Sequence, residues 1–161
     1  MVRGEVRGER ERGVYVLGTD SGVVGEDLIA REARGEASEN RGGEHTSAAP
    51  EARYVRTEEV PATTVDELVA KHGIDPASTL LKIDVQGYEK AVLDGAKETL
   101  SKFAGVRTEM SLTALYDGQT LLPEMITYLD GLGFDLWQVE RGFTDPVTRR
   151  VLQMDGVFFR R

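Results

Sequence analysis

The chain has 161 residues, 40% of them hydrophobic, which is enough for one domain of ordinary size with its own core. Its 28 acidic residues against 20 basic ones give a net charge of -8, which disfavours nucleic acid as a partner, and the lack of cysteine excludes disulfides, thiolate zinc sites and cysteine nucleophiles. The charged amino terminus has no apolar run of signal-peptide length and no later stretch approaches a membrane span, so a cytoplasmic protein without membrane contact is expected.

The opening VRGEVRGERERG is charged throughout and reads as a frayed terminus. Val14 to Leu17 (VYVL) is a short strand. Gly18, Gly22 and Gly25 follow it, but their spacing does not match a dinucleotide fingerprint and a turn or insert is the better reading. Arg31 to Pro50 mixes Glu, Arg, Gly, Ser and Asn with few large apolar residues, a composition that cannot offset its ordering entropy. Residues 1–52 therefore read as one short strand plus a polar, partly disordered insert, and residues 53–161 as the folded part.

In that folded part the apolar residues recur at strand and helix periods. Thr64 and Glu67 have capping-box spacing, and Gly73 can close the helix Val65 to His72 in a left-handed conformation. Thr79 to Val85 (TLLKIDV) suits a central parallel strand buried on both faces. Tyr88 to Phe103 then reads as one helix, with Val92, Ala96, Leu100 and Phe103 on its apolar face. Val106 to Leu112 alternates as the next strand. Pro123 opens a helix striped by Met125, Ile126, Leu129 and Leu132, and Phe134 to Glu140 and Val151 to Phe159 form a final antiparallel pair. Trp137, Tyr116 and Tyr128 are expected to pack in core or cleft. The order of these elements is that of an α/β domain.

Two charges stand out in the apolar strand. Lys82 and Asp84 lie two apart, so they share one face while Leu81, Ile83 and Val85 share the other. An unpaired buried charge is costly, which places Asp84 near the carboxyl end of the strand, where open α/β sheets bind ligands. The alternative is that Lys82 and Asp84 only pair with their neighbours. Gly87 allows close backbone approach at the turn that follows.

The stretch Leu81 to Ala96, LKIDVQGYEKAVLDGA, resembles the signature of FkbM-type methyltransferases, a Lys-Ile-Asp-Val-Glu-Gly-x-Glu core followed by a Val-Leu-x-Gly-Ala helix. Gln86 stands where Glu is more usual. VPATTVDEL at Val60 to Leu68, Glu109 in the following strand, Gly131 to Phe134, and Gln153 to Phe158 extend the likeness. The resemblance implies a partial class I methyltransferase, Rossmann-like and doubly wound, mostly parallel with an antiparallel terminal strand. It implies S-adenosylmethionine as cofactor and O-methylation of a small-molecule or glycan hydroxyl. Carried over by residue, Asp84 is the base or orienting group, helped by Lys82 and Glu109, with Asp84 and Gly87 facing the cofactor and no metal required. Asp84 and Glu109 sharing a divalent cation is the minor alternative.

The resemblance also implies three strands and a Gly-rich turn before this region, and these are not evident. A truncated domain is expected, leaving one sheet edge open and favouring a homo-oligomer or a complementing chain. The competing reading is a non-catalytic remnant or interaction module that keeps the second half of the fold.

Overall fold

The computed structural model of the chain describes residues 63–116 and 118–161, together with the strand backbones β1 (Val2–Val6), β2 (Gly13–Gly18), β3 (Val23–Val24) and β4 (Arg56–Val60). β1 and β4 pair antiparallel as a two-stranded sheet, so Val2 to Val6 are not a frayed end. A charged run can still pair through its backbone once a partner strand exists. The polar insert, Gly22 and Gly25 lie outside the described residues.

Helix α1 (Val65–His72) forms as its caps dictate. Thr64 Oγ1 accepts from Glu67 N at 3.1 Å, Glu67 Oε2 accepts from Thr64 N at 3.0 Å, and Gly73 closes the helix at φ 61°. Val65, Leu68 and Val69 are its buried stripe.

Strand β5 (Thr79–Asp84) alternates: Leu81 and Ile83 are buried, while Leu80, Lys82 and Asp84 are half-buried. The expectation of burial on both faces is corrected accordingly. The chain then turns through Gln86 and Gly87 into helix α2 (Glu89–Asp94), which is shorter than the single helix expected to reach Phe103. The Asp66 carboxylate accounts for the break. It accepts from Glu98 N and Thr99 N at 3.0 Å each and from Thr99 Oγ1 at 2.6 Å, while Asp66 N donates to Gly95 O at 3.2 Å. These bonds from α1 turn the backbone out of the helical ladder at Gly95. Val92, Ala96, Leu100 and Phe103 are nevertheless all buried.

Strand β6 (Gly105–Ser111) lies parallel to β5, as expected of a strand, helix, strand unit. Helix α3 (Leu122–Gly131) carries Pro123 in its first turn and buries Met125 and Leu129. β7 (Phe134–Arg141) and β8 (Gln153–Arg160) are antiparallel, joined by a turn in which Asp145 accepts from Val147 N and Thr148 N.

The main sheet has the order β3-β2-β5-β6-β8-β7. β5, β6 and β7 point the same way and β8 opposes both its neighbours, as the resemblance implied for the terminal strand. The sheet is nonetheless mixed rather than mostly parallel. Of the five pairings among the described strands only β5 with β6 is parallel, because β8 returns by a hairpin and inserts beside β6, while β2 lies antiparallel along β5. β5 is paired to β2 along its full length, Gly13 opposite Asp84 and Gly18 opposite Thr79.

The described helices share one core with one face of this sheet. Val65, Val92, Leu93, Met125 and Leu129 pack with Leu81, Ile83, Val106, Met110 and Phe158. Among the described residues no helix lies on the other face. That face carries Lys82, Asp84, Arg107, Glu109 and Asp155, all half-buried. Trp137 also departs from expectation. It sits at a bulge between Leu136 and Gln138 on edge strand β7, is 72% exposed, and stacks edge-on against Phe159 at 5.1 Å. No helix among the described residues is long and apolar enough to cross a membrane.

Candidate acceptor site at the ends of β5 and β6

Asp84 is the last residue of β5 and Glu109 lies near the end of the neighbouring parallel strand, so the two carboxylates share one sheet edge and one face. Lys82 Nζ lies 3.4 Å from Asp84 Oδ2, and both side chains are about 30% exposed, at 29% and 32%. An ion pair so well solvated is worth about 0–1 kcal/mol, too little to be its own reason for placing charges here.

The two acids are joined by Gln86, whose Nε2 donates to Asp84 Oδ1 at 3.3 Å and to Glu109 Oε2 at 3.2 Å. Its Oε1 accepts from the hydroxyl of buried Tyr116. Glu109 Oε2 also accepts from Gln153 Nε2 at 2.8 Å, and that amide donates to Ser111 Oγ at 3.2 Å. Beside them Arg107 bridges Glu140 at 2.6 Å and Asp155 at 2.7 Å, and these partners hold its guanidinium above the ordinary range, Asp155 most of all.

Gly87 sits under Tyr116. A Cβ there would come 2.9 Å from Tyr116 Cβ, and the Gly87 φ of 98° favours glycine in any case. Its N–H is taken by Glu89, donating at 3.0 and 3.1 Å to the two carboxylate oxygens. Glu89 is 3% exposed, and burial pushes its carboxyl above the ordinary value of 4.5 against the Gly87 N–H bond, with the charge of Asp84 adding to the rise. A raised folded-state value means the native state holds this proton more tightly than the unfolded chain. The associated stability is full below the ordinary carboxyl range and is lost as pH rises through the folded value. Glu89→Gln, which keeps an oxygen for the Gly87 N–H, should flatten that decline; urea midpoints across pH 4 to 8 that fall as steeply as in the unaltered chain would refute it.

An open groove of about 560 Å³, lined by Lys90, Thr120, Pro123, Glu124, Thr127 and Tyr128, shares no residue with this cluster. Among the described residues no three potential metal ligands converge. Sequence reading singled out Lys82, Asp84, Gly87 and Glu109. It missed Gln86 as a bridge, Tyr116 as its acceptor-side partner, Gln153 and Arg107, which carry no local spacing signal.

A family model described as the methyltransferase FkbM domain matches residues 9–136, well over half of the chain. The chain belongs to that family. No curated protein and no solved structure matches it. Membership in the FkbM family implies, in general terms, a methyltransferase that uses S-adenosylmethionine. The described residues fit that cofactor only in part. In an open α/β sheet the ligand lies beyond the carboxyl ends of the parallel strands, with a Gly-rich turn and a ribose-binding carboxylate contributed from strands on one side. Here β2 runs the opposite way, so Gly18 ends opposite Thr79, at the far edge from Asp84. The Gly87 N–H is already bonded to Glu89. Among the described residues, Asp84, Gln86 and Glu109 gather at the carboxyl ends of the parallel strands β5 and β6.

Proposed function

We propose that this FkbM domain supplies the acceptor side of an S-adenosylmethionine-dependent O-methyltransferase acting on a small-molecule or glycan hydroxyl. The observation that supports this most is the half-buried Asp84 at the end of β5, oriented through Gln86 against Glu109. A carboxylate so placed can accept a hydrogen bond from an alcohol and take up its proton as the oxygen forms a bond to carbon. Lys82 offsets the charge of Asp84, and Glu109 with Gln153 offers further polar atoms for a polyhydroxylated ligand. The methyl group itself comes from the bound donor.

The second reading, an interaction module without catalysis, draws support from β2, which occupies the flank of β5 in the antiparallel sense. Calorimetry and a transfer assay separate the two. We expect these 161 residues to give no saturable heat with S-adenosylmethionine at about 1 mM, a binding energy near -4 kcal/mol, and to gain binding when an upstream segment or a complementing chain is supplied. Tight binding by the chain alone would overturn the expected division of the site. Binding to the complemented form without label transfer from S-[methyl-14C]adenosylmethionine to any hydroxyl acceptor would favour the interaction module.

A further inference from the structure

We propose that Gln86 is the positioning residue of this site: its side-chain amide sets Asp84 against Glu109 without a cation or a shared proton between them. The backbone gives the first indication. Gln86 has φ 54°, a left-handed conformation that a non-glycine residue adopts only at a cost, and such strain persists where the surroundings over-determine it.

The surroundings do so here. Carboxylates only accept, so the amide nitrogen must face Asp84 and Glu109, and the oxygen must face the Tyr116 hydroxyl. Tyr116 is buried and packs over Gly87, which fixes the amide from the far side. One NH2 group offers two protons, one for each acid, and no other neutral side chain of this length supplies them together with an acceptor for the phenol. The charged and titratable groups around it are Lys82 and Asp84 from β5, Glu89 from α2, Arg107 and Glu109 from β6, Tyr116 from the loop after β6 and Asp155 from β8. A carboxylate at position 86 would add a third acid beside Asp84 and Glu109, and acids so close cannot all ionise without a proton or a metal ion.

The importance of Gln86 for methyl transfer rests on the proposed role of Asp84, but its bridging does not, and the test reads the bridge directly. In nitrogen-proton NMR of the full chain, with the Gln86 amide assigned by its loss in Gln86→Met, we expect two well-separated N–H protons with slowed exchange. Asp84→Asn should move one of them and Glu109→Gln the other. In Gln86→Glu, carbon-detected titration of the carboxyl cluster should show proton uptake at least about tenfold tighter than in the unaltered chain, reversed by magnesium chloride. A Gln86 amide that exchanges like a free side chain and ignores both substitutions overturns the proposal, as does a Gln86→Glu cluster that titrates unchanged. If Gln86→Glu does not fold, the amide spectrum of the unaltered chain decides alone. Intact bridging in a protein that transfers no methyl group would remove the methyltransferase reading and leave this one standing.

Discussion

Gly105→Ala should lower the folding free energy by about 2–4 kcal/mol, a large share of the 5–15 kcal/mol that holds an ordinary domain together. Gly105 opens β6 between Leu80 on β5 and Phe159 on β8. A Cβ there would lie 2.6 Å from the Phe158 carbonyl oxygen, 2.8 Å from Leu80 Cδ1 and 3.0 Å from Phe159 Cδ1. The two side chains can rotate away. The carbonyl cannot, because it belongs to the backbone of β8, and retreat means opening the ladder that inserts β8 beside β6. Gly131→Ala is the matched control: nothing lies within 4 Å of its Cβ position, and alanine is the better helix former at the end of α3. Urea denaturation should separate the two variants clearly. A Gly105→Ala protein within about 0.5 kcal/mol of the unaltered chain, the range of an ordinary surface substitution, would show that β8 does not pack beside β6 as described.

Under the proposed function, Asp84→Asn should slow methyl transfer by about 10²–10⁴-fold in a form that binds the donor, while leaving donor affinity nearly unchanged. Asparagine keeps the shape of the side chain and an oxygen for the Gln86 amide, so what it removes is the capacity to take up a proton. Stability should barely respond, since the Lys82–Asp84 pair is solvated and worth about 0–1 kcal/mol. The combination is diagnostic: a role in folding would show in denaturation, and a role in holding the donor would show in calorimetry. Equal losses in donor affinity and rate would move Asp84 from proton transfer to binding.

Much of the framework was legible because its determinants are local. The caps of α1 are contacts between residues three apart, Thr64 and Glu67, and the left-handed closure at Gly73 needs no distant partner. The alternation in TLLKID placed Lys82 and Asp84 on the face opposite Leu81 and Ile83, and the polar link between β7 and β8 required an antiparallel pair. The family was legible for a different reason, since Leu81 to Ala96 carries a long matched motif, and the family match over residues 9–136 agrees with it.

Contacts between distant residues decided the rest, and periodicity is blind to them. It reports which positions are buried, so Val92, Ala96, Leu100 and Phe103 were read correctly as core. It could not show that Asp66, some thirty residues earlier in the chain, captures Glu98 and Thr99 and ends α2 at Gly95. A strand pattern likewise does not name its neighbour, which is why β2 could lie antiparallel along β5 and β8 could insert beside β6. The site follows the same division. Asp84 and Glu109 were visible as carboxylates in apolar strands, because a charge at such a position demands a physical account. Gln86 was visible only as a departure from a motif. Its role as the bridge depends on β6 and the Tyr116 loop folding back over the Gly87 turn, a geometry that exists only in the assembled domain.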